Sequence, residues 1–264
     1  MVDQALSQYA KVDRLNALFV AHSHFDHALD VAYIAKKTVA QLYGSESTLN
    51  IGQGGGVPED QMTLYDPGKE VKVGKFNVTV LRSQHSRSTP INDDLGQVIN
   101  TPLTQPTMLR NYVEGNSFDF LIKHGHHSIL VKPSANFIWG ALEQVPPVNV
   151  LFLAMGTAGS QTAGSQTAGS QPGECPEYRD LLKHFYDQTV GKLKPQLELV
   201  IPIHWDHFFC PLKPDETLYA LDNNDLTVGF DFLVEHLTGD GINFGIMQKG
   251  FHSVMLSDNK RDCT

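Results

Sequence analysis

The stretch "ALFVAHSHFDHALD", residues 17–30, constrains the fold more than any other part of the chain. It opens with a continuous apolar run, the pattern of a buried strand. Immediately after that run come His22, His24, Asp26 and His27. Imidazoles and a carboxylate lose hydration when they gather at the end of a buried strand, so something must compensate. In an extended segment residues two apart point the same way, which puts His22 and His24 on one side. As the chain turns into a helix, Asp26 and His27 swing toward a neighbouring point. Imidazole and carboxylate are usual ligands of zinc, and two ligand pairs can serve two metal positions about 3.5–4 Å apart. Two more histidines stand at strand ends, His85 in "VLRSQHS" and His204 in "VIPIHWDHF". A lone histidine after a strand is ordinarily a polar cap. A set of ligand types placed like this calls for another reason.

The rest of the chain alternates strand and helix patterns. A short helix is expected over 4–11. Residues 28–44 carry apolar positions near helical spacing and end at Gly44, which predicts one helix over the whole segment. "KFNVTVLRS" (75–83) alternates as a strand. "SFDFLIKHGHHSILVK" (117–132) predicts a hairpin turning near Gly125, with "KHGHH" solvated at its tip. "VNVLFLAMG" (148–156) and "LELVIPIH" (197–204) read as buried strands. Residues 175–193 predict an amphipathic helix with Pro176 in its first turn. A late helix over 229–237 and a last strand in "INFGIMQ" follow. "IGQGGGVPED" (51–60) lacks the Lys-Ser/Thr of a phosphate loop and reads as a flexible turn. Strands mixed with helices and hairpins indicate an α/β sandwich with mixed sheets, in a single domain spanning 1–264.

Two segments are irregular. Residues 86–116 are proline-rich and too long for an ordinary connection, the mark of a lid or binding loop or of disorder; Arg110 and Tyr112 there could meet an anionic substrate, but an exposed pair is the simpler reading. Residues 157–171 are three copies of TAGSQ. They offer nothing to bury and predict a flexible surface loop.

Composition excludes several classes. With 20 basic against 29 acidic residues the net charge is −9, so nucleic acid is not the expected partner. No apolar run reaches membrane-spanning length. The N-terminus lacks a signal-peptide pattern, and a cytoplasmic location is expected. Cys175, Cys210 and Cys263 are widely spaced and suggest neither a disulfide framework nor a thiolate zinc site.

"HSHFDHALD", His85 and "IPIHWDHF" together resemble the metallo-β-lactamase-fold hydrolases, whose H-x-H-x-D-H signature is among their most specific motifs. Asp30 and the "IHWDHF" ending are similar to the branch containing L-ascorbate-6-phosphate lactonase and N-acyl-phosphatidylethanolamine phospholipase D. The resemblance covers residues 14 to 210. It implies a four-layer αββα sandwich with two metals at one edge. His22, His24 and His85 would hold the first, and Asp26, His27 and His204 the second. Zinc is the expected ion, with manganese or iron compatible with the same donors.

Two departures from the family pattern matter. The family carries an aspartate bridging both metals. The matching stretch here, "ILVKPSANF" (129–137), has Ser134 in its place, and Asp119 and Asp206 are the carboxylates that could substitute. The family also has strands before the signature, where this chain has only residues 1–21. That leaves an open sheet edge, available for pairing with a second copy.

Zinc lowers the pKa of bound water to about 7, making hydroxide available at neutral pH. The expected activity is therefore hydrolysis of a small ester, lactone or phosphodiester by a metal-bound hydroxide. Asp26 would orient the water or take its proton, and His207 would shuttle protons. Trp205 would wall the pocket or pack in the core. The competing readings are a catalytically impaired, truncated metal-binding relic and a β-lactamase.

Overall fold

The computed structural model describes residues 2–4, 6–7, 13–88, 93–156, 158, 176–194, 196–206 and 224–247. After a short helix α1 (Val2–Gln4), the first half builds a small parallel sheet and its helices. Strand β1 (Ala17–Phe19) leads into α2 (Phe25–Ala28) and α3 (Val31–Thr38). Then come β2 (Gln41–Gly44), α4 (Glu46–Gly54) and β3 (Met62–Leu64). The second sheet starts with β4 (Glu70–Val73), β5 (Phe76–Arg82), β6 (Phe118–His124) and β7 (His127–Lys132). It continues through β8 (Val150–Ala154), α5 (Pro176–Gln188), α6 (Val190–Leu193) and β9 (Leu199–Ile203). It closes with α7 (Asn224–Asp240) and β10 (Asn243–Phe244).

The small sheet has the order β1-β2-β3, all parallel, so β1 is an edge strand among the described residues. The large sheet runs β10-β9-β8-β7-β6-β5-β4. Strands β7 to β10 pair in parallel and β4 to β7 antiparallel, which makes the sheet mixed.

Three apolar clusters define the layers. Between the sheets lie Ala21, Tyr65, Val80, Phe118 and Phe120, with Phe19, Tyr43, Ile122 and Val131 packed against them. Outside the small sheet, Ala28, Val31, Ala32 and Ala35 of α2 and α3 meet Leu42 of β2 and Ile51 of α4. Outside the large sheet, Leu182, Phe185, Leu233 and Leu237 of α5 and α7 cover Leu121, Leu130, Leu151 and Leu153. The order is helix, sheet, sheet, helix. The period-2 alternation of β6 makes this possible: Phe118, Phe120 and Ile122 face the other sheet while Leu121 faces the helices.

Three sequence expectations change. The segment 28–44 is not one helix: α3 stops at Thr38, and Val39 takes a left-handed backbone (φ 55°) as its cap. The following "QLYG" becomes the central strand of the small sheet, because Leu42 is wanted at zero exposure between β1 and β3. Here tertiary burial outweighs local periodicity. The glycine-rich stretch 51–60 is half helix: α4 is capped by Ser45, whose hydroxyl accepts from the Thr48 amide, and it runs through Gly54. A side chain at Gly54 would strike the Leu103 backbone carbonyl at 2.0 Å, so the glycine serves a close crossing. Finally, Tyr112 is not an exposed loop residue but sits in the core at 2% exposure, while Arg110 is exposed.

Most of the other elements fall near their expected places. The 117–132 hairpin turns at Gly125 (φ 59°), and His124 and His126 at its tip are exposed. The late helix is longer than expected, covering Asn224–Asp240. Trp205 packs against the large core cluster, next to Phe230. The repeat at 157–171 lies outside the described residues apart from Ala158, which is buried. Of the expected first helix over 4–11, α1 reaches only Gln4, and residues 5 and 8–11 lie outside the described residues. No helix among the described residues is long and apolar enough to cross a membrane.

Candidate metal centre

The site forms where β1 ends. Past Val20 and Ala21 the chain stays extended, and Ser23 separates the two histidines. Ser23 faces away from the site: its amide donates to the Glu114 carbonyl (2.8 Å) and its hydroxyl to the Val113 carbonyl (2.6 Å). This aims His22 and His24 the opposite way, with ring centroids 5.0 Å apart. His24 then caps α2, and that single turn of helix presents Asp26 and His27 beside His22. The His22 and His27 rings lie 3.9 Å apart.

His85 follows β5 and closes the first group. Its ring lies 4.6 Å from both His22 and His24. Its Nδ1 donates to the Ser86 carbonyl (3.0 Å), and its own carbonyl accepts from Asn136 Nδ2 (2.7 Å). His204 ends β9 with a left-handed backbone (φ 53°), a conformation that non-glycine residues adopt at a cost and often at functional sites. That bend brings His204 Nε2 to 3.2 Å from Asp26 Oδ2, and the same oxygen lies 3.3 Å from His27 Nε2. Two groups of potential ligand atoms result. One is His22, His24 and His85; the other is His22, Asp26 and His27. Both contain His22, which therefore stands at the centre.

His22 also shows that a cation fits. It is 1% exposed, and neither ring nitrogen has a hydrogen-bond partner among the described residues. A buried imidazole without partners forfeits its hydration for nothing, at a cost of about 1–3 kcal/mol. Burial, then the neighbouring imidazoles, push its pKa well below the ordinary histidine range. Burial and His24 push His85 down to about 4. Such histidines are neutral at neutral pH and offer lone pairs. Asp26 behaves in the opposite way: burial would raise its pKa, but the hydrogen bond with His204 and the close approach of His27 outweigh it and hold the carboxyl well below the usual range. Burial lowers His204, yet the bond to Asp26 prevails and its pKa is raised. Neutral nitrogens converging beside an ionised carboxylate are a donor set for a divalent metal.

The remaining candidates divide. Asp119 is buried in an ion pair with Lys132 (3.1 Å), and Lys132 Nζ also donates to Ser83 Oγ (3.0 Å). By strand alternation Asp119 shares the face of Leu121, toward the helices. Asp206 adds a smaller electrostatic pull on His204. Ser134 is buried just past β7, two residues before the asparagine that holds the His85 carbonyl. His207 lies outside the described residues.

One residue went unnoticed in the sequence. Asp94, from the proline-rich loop, places both carboxylate oxygens 3.1 Å from His24 Nε2. No spacing rule points to it. Its turn is fastened by Glu114, which is 7% exposed. Glu114 Oε2 accepts from the Gly96 amide (2.6 Å) and Oε1 from the Ser117 hydroxyl (2.8 Å). An apolar cavity of about 350 Å³ adjoins the site, walled by Phe19, Val78, Phe120 and Ile122 with His27 on its lining.

Comparison with known proteins agrees with this architecture. A family model described as the metallo-beta-lactamase superfamily matches residues 3–131. Over 98 residues the chain is 31% identical to a UPF0173 metal-dependent hydrolase of Chloroflexus aurantiacus, a match covering 37% of this chain and 39% of that relative. The chain thus spans well under half the length of this curated relative. Among solved structures, the metallo-beta-lactamase fold protein YhfI from Bacillus subtilis superposes with a TM-score of 0.50 at 14% identity, over 95% of this chain and 82% of that one. CmlA, a diiron beta-hydroxylase from Streptomyces venezuelae, gives 0.55 at 17% identity, over 89% of this chain and 44% of that one. At these identities the likeness is one of fold.

Proposed function

We propose that this chain, an α/β protein with the metallo-beta-lactamase fold, is a metal-dependent hydrolase of small esters, lactones or phosphodiesters. The carrying observation is His22, fully buried at the meeting point of both ligand groups, with neither ring nitrogen hydrogen-bonded among the described residues. His22, His24 and His85 would hold one ion, and Asp26, His27 and His204 a second. When bound, a divalent cation supplies a nucleophile from water near neutral pH and polarises a substrate oxygen.

The protein's own groups do the rest. Asp26, with its carboxyl held ionised, is better suited to orienting water and binding cation than to accepting a proton. His207, three positions past His204 in sequence, is the proposed proton shuttle. The apolar cavity beside His27 suits the acyl or alkyl part of a substrate. Ser134, as a neutral residue in place of a bridging carboxylate, would leave the second ion the more weakly held of the two. The relationship to UPF0173 metal-dependent hydrolases supports the same chemistry.

The test combines metal analysis with turnover. Purified protein should carry at least one zinc, manganese or iron per chain. It should hydrolyse p-nitrophenyl acetate, a simple lactone or bis(p-nitrophenyl) phosphate, lose that activity to a chelator and regain it with added metal. His22→Ala should abolish both metal retention and turnover. Metal without turnover would instead identify an impaired relic of the fold; neither metal nor turnover would overturn the whole reading.

A further inference from the structure

We infer that Asp94 is a positioning residue for the metal centre: it sets the tautomer and orientation of His24 from the proline-rich loop. The inference rests on the metal reading of the site. A carboxylate accepts hydrogen bonds and does not donate them. With both Asp94 oxygens 3.1 Å from His24 Nε2, that nitrogen carries the proton. The other ring nitrogen, Nδ1, then bears a lone pair. It lies 3.2 Å from Nε2 of His85. His85 is locked in the complementary way, because its Nδ1 donates to the Ser86 carbonyl and leaves Nε2 as an acceptor. Two lone pairs therefore face each other at 3.2 Å. That contact is repulsive until a positive charge lies between them. Two donors at about 2.0–2.1 Å from a tetrahedral ion are separated by about 3.3 Å. The pair is thus spaced and polarised to share one cation, and Asp94 enforces its half of the arrangement.

The loop is built to hold Asp94 there. The Gln97 amide donates to the Asp94 carbonyl (2.9 Å), closing a turn at Gly96 (φ 78°). Glu114 ties that turn down through the Gly96 amide. The Glu114 carbonyl in turn accepts from the amide of Ser23, the residue between His22 and His24. One buried glutamate therefore joins the Asp94 turn to the ligand-bearing segment, so the carboxylate and the imidazole it orients share a rigid frame. Carboxylate partners of this kind fix ring orientation and raise ligand basicity, and their loss typically weakens metal affinity 10–100-fold.

The experiment compares wild-type protein with Asp94→Ala and Asp94→Asn, stripped of metal and titrated with zinc against a chromogenic chelator. Long-range ¹H–¹⁵N spectra of the histidine rings are recorded in parallel on the metal-free proteins. The expected result is an Nε2–H tautomer for His24 in the wild type, lost or mixed in Asp94→Ala. Zinc affinity should fall about 10–100-fold in Asp94→Ala, and less in Asp94→Asn, whose amide oxygen can still accept. Urea unfolding of the metal-free proteins should be nearly unchanged, which separates positioning from folding. Unaltered zinc affinity with an unaltered His24 tautomer would overturn the role. Loss of one whole ion per chain with the tautomer retained would make Asp94 itself a ligand and also overturn it. If the wild type binds no zinc, the metal reading fails, and the tautomer comparison still decides whether Asp94 orients His24.

Discussion

His22 carries an electrostatic contradiction: it is buried as completely as a core leucine, yet among the described residues neither of its nitrogens has a hydrogen-bond partner. In the metal-free protein this is a liability; under the proposed function a bound cation would make it the central ligand. The two states make a sharp prediction. His22→Leu should stabilise the metal-free protein by about 1 kcal/mol, since it removes an unsatisfied buried polar group, while abolishing any stabilisation by added zinc. Urea unfolding with and without zinc measures both. A variant less stable than wild type without metal would show that His22 has a structural partner after all. Histidines 22, 24, 85 and 204, with Asp26 and His27, were visible in the sequence because ligand types clustered at strand ends. Asp94 was not, because its partnership with His24 joins residues 70 positions apart through a loop with no periodicity.

At the scale of elements, β6 and β7 hold a second buried polar feature. Lys132 and Asp119 are each about 2% exposed and joined at 3.1 Å on the helix-covered face of the large sheet. Such a pair contributes little net stability when intact, because desolvation offsets attraction. Removing one partner strands the other. Lys132→Met should therefore cost about 3–5 kcal/mol, whereas Lys132→Met with Asp119→Leu should be near neutral or stabilising. Denaturant midpoints of the single and double variants test this, and a double variant as unstable as the single would refute it. Strand β5 was legible from alternation, the β6–β7 hairpin from its turn glycine, and β1, β8 and β9 from continuous apolar runs, whereas the short strands β3 and β4 left no such signal. Nor was β2 legible, because "VAQLYG" keeps helical spacing after α3. Its strand state depends on the hydrogen-bonding partners β1 and β3.

For the whole molecule, the titrating histidines predict how stability follows pH. His22 and His85 have lowered pKa values in the folded state, His85 at about 4 against an ordinary 6.5. The unfolded chain therefore binds more protons between those values. Their contribution is complete above about pH 6.5 and is lost as pH falls, for His85 down to about pH 4, at up to about 1.4 kcal/mol per pH unit for each group. His204 works the other way: its raised value gives stability that is complete below about pH 6.5 and fades as pH rises through its folded pKa. Metal-free protein should thus be most stable near pH 6.5. Zinc should add stability that grows from acid to neutral pH, because ligands must shed protons to bind. At a hundredfold excess over the dissociation constant that gain is about 2.7 kcal/mol. Thermal melts across pH 4–8, with and without zinc, check both curves. A metal-free protein whose stability does not change between pH 4 and 6.5 would contradict the burial of these histidines.

The order of residues along the chain determined the class of fold and the chemical character of its site. Apolar runs of strand length, alternation at period 2 and a cluster of imidazoles after the first strand are local properties, and local properties are written in sequence. Tertiary structure decided which residues meet. It chose strand over helix for residues 41–44, paired Asp119 with Lys132, and delivered Asp94 to His24. Each of these outcomes depends on a partner distant in sequence. Burial and electrostatic pairing act through space, so no window of neighbouring residues contains the energy that settles them.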